Sequence, residues 1–125
     1  MFENVYCLSL AMFFVAAGAT KLIRSKETLV AANAGAWAND FAPSAIKGIG
    51  ALEVISAFTL AAACVIAKPA LALLACSILG IVMTGAVITH LKRAEYRQSA
   101  FATAVGIAVV GGIVLMLPGV RSVAS

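Results

Sequence analysis

Apolar residues gather in four long stretches, 5–23, 46–67, 69–91 and 99–117, and polar residues collect between them. Each stretch is long enough to cross a hydrocarbon core of roughly 30 Å at about 1.5 Å of helix per residue. The pattern predicts four spans. Lys68-Pro69 marks a tight turn between the second and third, residues 92–98 form a short basic loop before the fourth, and Pro118-Gly119 ends it. Ala17-Gly18-Ala19 in the first stretch resembles a leader cleavage site. The residues ahead of it, however, include Glu3 and no Lys or Arg, so the stretch is read as a retained span.

Residues 24–45 form the longest connection. Ser25 is a candidate N-cap, and Leu29, Asn33, Trp37 and Phe41 recur every four residues. This predicts a short helix lying at the interface, with Trp37 in the headgroup belt, broken by Asn39-Asp40 and Pro43. Two roles remain open for it: an amphipathic linker, or a lid over a cavity between spans with Trp37, Asn39 and Asp40 facing inward. The expected fold is all-α. It is a single transmembrane domain, residues 1–125, built as an integral membrane four-helix bundle with a short interfacial helix between spans one and two.

Composition agrees. The chain is 63% hydrophobic and 11% charged, with mean hydropathy +1.08, whereas a soluble domain carries about 25% charged residues. The net charge of +4 does not indicate nucleic-acid binding, because the cations sit at the ends of spans, where topology and anionic lipid account for them. Lys21, Arg24, Lys26, Lys47, Lys92, Arg93 and Arg97 fall on the side of the first and third connections, against Lys68 and Arg121 on the other. That asymmetry predicts a cytoplasmic long connection and both termini outside; the compact chain, with no eukaryotic targeting signal in view, is expected in a bacterial inner membrane.

The chemistry centres on Glu53. A carboxyl at membrane depth costs roughly 2.5–3.5 kcal/mol on insertion scales, so it is expected to face a partner or a wet cavity. Gly50, Glu53 and Ala57 share a helical face. Phe14, Ala17, Gly18 and Lys21 share another, whose small residues admit a close neighbour. Lys21 either snorkels to the interface or turns inward as the countercharge of Glu53. His90, the one histidine, shares a face with Gly80, Met83 and Val87 in the third stretch. It is either an interface residue or an acid–base group, and Met83 is either packing or a soft ligand wall. Lys21, Glu53 and His90 all fall in the half of the bundle toward the basic side. Cys7, Cys64 and Cys76 lie toward the opposite face, as small hydrophobes or as a redox-active pair; with no CxxC and no Cys/His cluster, no metal site is expected.

Three stretches resemble the DoxX-like family of small four-helix membrane proteins. They are AAGATKL at 16–22, GIGALEVISAFTL at 48–60, with Gly50 and Glu53 as its Gly-x-x-Glu signature, and IVMTGAVITHLKR at 81–93, with Met83, Ala86, His90 and Leu91. The family takes its name from a small subunit of a thiosulfate:quinone oxidoreductase. The resemblance implies the four-helix fold and a polar intramembrane site on Lys21, Glu53 and His90, with a quinone as a candidate ligand. No flavin, haem or iron–sulfur motif is visible in the sequence, so electron transfer would require a redox partner subunit.

Three functions are then in play. The first is an accessory subunit that holds the head of a small lipophilic molecule with Lys21, Glu53 and His90, and its body with Met83 and Trp37. Asn39 and Asp40 are further candidate contacts. The second is an enzyme with Glu53 and His90 as catalytic acid and base, in a proton-shifting isomerisation. The third is a proton-coupled small-solute transporter, which at this length would work as a homo-oligomer. Membrane lipid is the one partner common to all three.

Overall fold

A computed structural model describes residues 2–32 and 35–119. Asn33, one position of the predicted interfacial helix, and Arg121, one cation of the sparser side, lie outside them. The chain forms α1 (Phe2–Ile23), α2 (Lys26–Ala31), a 3₁₀ helix η1 (Ala36–Asp40), α3 (Pro43–Val65), α4 (Pro69–Lys92) and α5 (Tyr96–Met116). The four long helices are apolar enough to cross a membrane, and the described residues contain no strand. Their outward faces carry large apolar side chains such as Ile55, Phe58, Ile81 and Ile107, as lipid contact requires. Several hydroxyls on the spans donate to the carbonyl four residues back, as Thr59 does to Ile55 and Thr84 to Gly80, which pairs them where they face lipid.

Three spans, α1, α3 and α5, begin three residues before the apolar stretches do. Pro43 opens α3 at its first turn, where a missing N–H is harmless and φ is already helical. Tyr96, Arg97 and Gln98 open α5, so residues expected in a loop are helical. Hydropathy marks where a helix enters hydrocarbon; the helix itself continues into the polar interface.

Both tight turns close the same way. Lys68 N–H donates to Ala63 O and Ala67 N–H to Cys64 O at the end of α3. Glu95 N–H donates to His90 O and Ala94 N–H to Leu91 O at the end of α4. These are Schellman caps, with Ala67 (φ 53°) and Ala94 (φ 56°) in the left-handed position that glycine usually takes.

In the bundle α1 packs chiefly on α3, α3 on α4, and α4 on α5. The α1–α5 seam is the slightest of these contacts. It closes where the Tyr6 hydroxyl donates to Ala108 O, beside Gly111 and Gly112. Cys7, Cys64 and Cys76 are free, buried thiols in this half of the core.

The long connection is two pieces rather than one helix. Ser25 does cap α2, its hydroxyl accepting from Thr28 N–H at 3.2 Å. The chain then turns extended at Ala32 and folds back onto the end of α2. A β-carbon on Gly35 would lie 1.6 Å from Leu29 O, so only glycine fits there. Leu29, Ala38 and Ile46 bury together under Val30, Trp37 and Phe41 as a small second core.

Candidate functional site

The site begins with a helix crossing. Gly18 on α1 and Gly50 on α3 press backbone to backbone, with no room for a β-carbon on either. Each glycine lies three residues before a charged one, so the crossing brings Lys21 against Glu53. Lys21 Nζ donates to Glu53 Oε2 at 2.9 Å and Oε1 at 3.1 Å, and to Ala17 O at 3.4 Å. The Glu53 side chain is 1% exposed and that of Lys21 17%. Glu53 is ten residues into α3, roughly 15 Å along its axis. Lys21 is therefore turned inward, in the countercharge arrangement. Trp37 covers the pair, with Lys21 Nζ 5.7 Å from its ring centroid.

A second cation completes the junction. Lys47 Nζ donates to Lys21 O and Leu22 O at 2.8 Å and to Arg24 O at 2.6 Å. It thereby caps the orphan carbonyls at the C-terminus of α1, where a positive charge also suits the helix dipole.

Beside the ion pair lies a cavity of about 760 Å³, within the range typical of small-molecule sites. Every long helix contributes to its wall: Phe13, Ala17 and Lys21 from α1, Ile49 and Glu53 from α3, Val82, Met83, Ala86, Thr89 and His90 from α4, and Arg97, Gln98, Phe101, Ala102 and Val105 from α5. Trp37 of η1 and Phe41 just after it close the end on the side of the long connection, their rings edge to face at 6.0 Å. The wall is mostly apolar, with its polar groups toward the basic side.

An ion-pair chain fastens η1 over this end. His90 Nδ1–H donates to Glu95 Oε2 at 2.7 Å, Arg93 Nε to Glu95 Oε1 at 2.9 Å, and Arg93 NH1 to Asp40 Oδ1 at 2.8 Å. Glu95 sits outside the spans. The hydrogen bond from His90, then that from Arg93, holds its carboxyl below the usual range. The bond to Glu95 in turn raises the Arg93 guanidinium above its ordinary value. With Nδ1 engaged, Nε2 is the ring nitrogen His90 has available for a ligand.

Of the seven residues singled out from the sequence, Lys21, Trp37, Glu53, Met83 and His90 line this one cavity. Asn39 and Asp40 do not. Asn39 is exposed, and Asp40 is turned outward to Arg93, because the 3₁₀ turn that points Trp37 inward points its neighbours away. The fourth span, to which sequence reasoning assigns no chemistry, supplies Arg97, Gln98 and Phe101 to the wall. The signal for them was the helical spacing of 97/98, 101/102 and 105, hidden by placing 97 and 98 in a loop.

An all-helical bundle that crosses the membrane four times around a partly polar, open-sided cavity is the class of protein these features define. The chain belongs to the DoxX-like family, whose model matches residues 5–113. No curated protein and no solved structure matches it significantly.

Proposed function

We propose that the protein binds a small lipophilic molecule with an oxygen-bearing polar head in its intramembrane cavity, as an accessory subunit of a membrane redox system. One observation carries the binding reading: a cavity of about 760 Å³ shares its wall with the buried Lys21–Glu53 pair. An ionised carboxylate at this depth is supported by its lysine, and the two together give an otherwise oily chamber one polar wall. Phe13, Met83, Phe101 and Trp37 supply apolar and aromatic surface for a ring or chain. A quinone fits in kind. Its two carbonyl oxygens need donors, which Arg97 and Gln98 offer, and its ring suits the aromatic walls; when bound it would supply the electron-accepting group. The subunit role rests on the family alone. The basic end of the bundle, where Lys21, Arg24, Lys26, Lys47, Lys92, Arg93 and Arg97 gather, supports a cytoplasmic position for the cavity's mouth in an inner membrane.

The test is mass spectrometry of small molecules released from gently purified wild type, beside Glu53→Gln and the cavity-filling Ala86→Phe. A specific lipophile present in wild type and lost from both variants is the expected result. Ala86→Phe leaves the ion pair untouched, so it separates loss of the cavity from loss of the fold. Bulk lipid alone in all three samples would overturn the reading.

A further inference from the structure

The charges around the cavity do not cancel, and the excess says what kind of head the ligand carries. Three side chains on its wall are formally charged: Lys21, Glu53 and Arg97. Lys21 and Glu53 neutralise each other. The chain has five acidic residues in all, and each can be followed. Glu53 is taken by Lys21, Asp40 by Arg93, and Glu95 by His90 and Arg93. Glu3 is in the first turn of α1, at the other end of the bundle, and Glu27 is exposed on α2. Among the described residues, Arg97 has no anionic partner. Nor does its own helix favour it, since a guanidinium in the first turn of α5 is opposed by the helix dipole. The cavity wall therefore carries one uncompensated positive charge, next to apolar surface where a counter-ion counts for more than it would in water.

We infer that the cavity takes an anionic amphiphile, an oxyanion head on an apolar body, with Arg97 as counter-ion to the head. The inference rests on the binding reading above and narrows its ligand class to heads that carry a negative charge, which a neutral quinone does not. The Gln98 side-chain amide offers the head a neutral hydrogen bond on the same wall. Phe13, Val82, Met83, Phe101 and Val105 hold the body. Phe13 and Phe101 also face the lipid, their rings 6.0 Å apart across the α1–α5 seam, so an amphiphile already in the bilayer meets the cavity there. An oxyanion head occurs both on a free acid and on a phospholipid, and the two sources need separate arms in the test.

Trp37, the one tryptophan in the chain, lines the cavity and reports on it by fluorescence. In nanodiscs of phosphatidylcholine, oleate is titrated against oleyl alcohol, which has the same chain and no charge. Oleate is expected to bind at least about tenfold more tightly, the worth of one charge-assisted contact. Arg97→Gln brings the two probes together, and Arg97→Lys keeps most of the preference. Arg97 is exposed and makes no ion pair among the described residues, so neither variant threatens the fold. The same titration in nanodiscs containing phosphatidylglycerol separates the sources. If oleate still binds, the occupant is a free amphiphile. If its signal is abolished in wild type and Trp37 is already shifted in an Arg97-dependent way, the oxyanion belongs to a bilayer phosphate. Equal binding of alcohol and acid, or a preference that survives Arg97→Gln, overturns the inference and leaves the cavity reading standing. If neither probe moves Trp37, both fall.

Discussion

A β-carbon placed on Gly18 would lie 2.6 Å from the carbonyl oxygen of Gly50, and one on Gly50 would lie 2.8 Å from that of Gly18. The reciprocal contact is backbone against backbone, so neither side has a flexible atom to move away. Gly18→Ala or Gly50→Ala must push α1 off α3 and lengthen the Lys21–Glu53 contact. Each is expected to destabilise the protein by about 1–3 kcal/mol, the usual cost of overpacking. Gly48→Ala is the control, since a β-carbon there meets nothing within 4 Å; it should be neutral or mildly stabilising. Thermal unfolding in detergent checks the set, and equal behaviour of all three variants would refute the close-crossing account.

The Lys21–Glu53 pair is expected to show strong coupling. Removing one partner strands the other charge at depth, so Lys21→Met or Glu53→Gln alone should cost about 3 kcal/mol or more. Removing both leaves no orphaned charge, and the double variant should be more stable than the sum of the singles predicts. A double-mutant cycle on unfolding free energies gives the answer. Strict additivity would mean the pair contributes nothing beyond two separate side chains.

Lys47 is a cap that acts from another helix. It donates to three carbonyls at the end of α1, so Lys47→Met leaves all three without that partner. A loss of about 1.5–3 kcal/mol follows from the worth of hydrogen bonds to a charged group. Hydrogen exchange should localise the fraying to the last turn of α1. Unchanged protection there would show that water replaces the lysine at no cost.

The chain from His90 to Asp40 makes the fastening of η1 acid-sensitive. Its neighbours depress the folded pKa of Glu95, so the fold favours the ionised carboxylate. That contribution is complete above the unfolded glutamate pKa of about 4.3 and is lost as pH falls through the lower folded value. Protection of η1 amides, taken against the intrinsic exchange rate at each pH, and Trp37 fluorescence should therefore stay constant from neutral pH to about pH 4 and change below it. Glu95→Gln should loosen η1 already at neutral pH. A transition centred well above about pH 5 would rule out Glu95 as its source.

Much of this protein was legible in the chain because lipid imposes simple rules. A backbone in hydrocarbon must satisfy its own hydrogen bonds, so four long apolar stretches become four helices. A carboxylate at depth needs a partner, which picked out Glu53 and left Lys21 between two roles. The placement of small residues at Gly18 and Gly50 already marked where helices approach. The connection was less legible. The four-residue recurrence from Leu29 to Phe41 suggested one helix, yet the turn back at Gly35 splits it, because packing against Leu29 outweighs local helical preference.

The sequence by itself determined the membrane class, the number of spans, the buried acid and the small-residue faces, since each follows from hydropathy and spacing within one helix. Only the tertiary structure decided that Lys21 turns inward and that Asp40 turns out to Arg93. Only it made Lys47 a cap and placed Arg97 and Gln98 on the cavity wall. Those outcomes depend on which helix faces which, and at what rotation. Such choices are set by contacts between residues far apart in the chain, from 23 positions for Lys47 and Arg24 to 102 for Tyr6 and Ala108, and no local pattern encodes them.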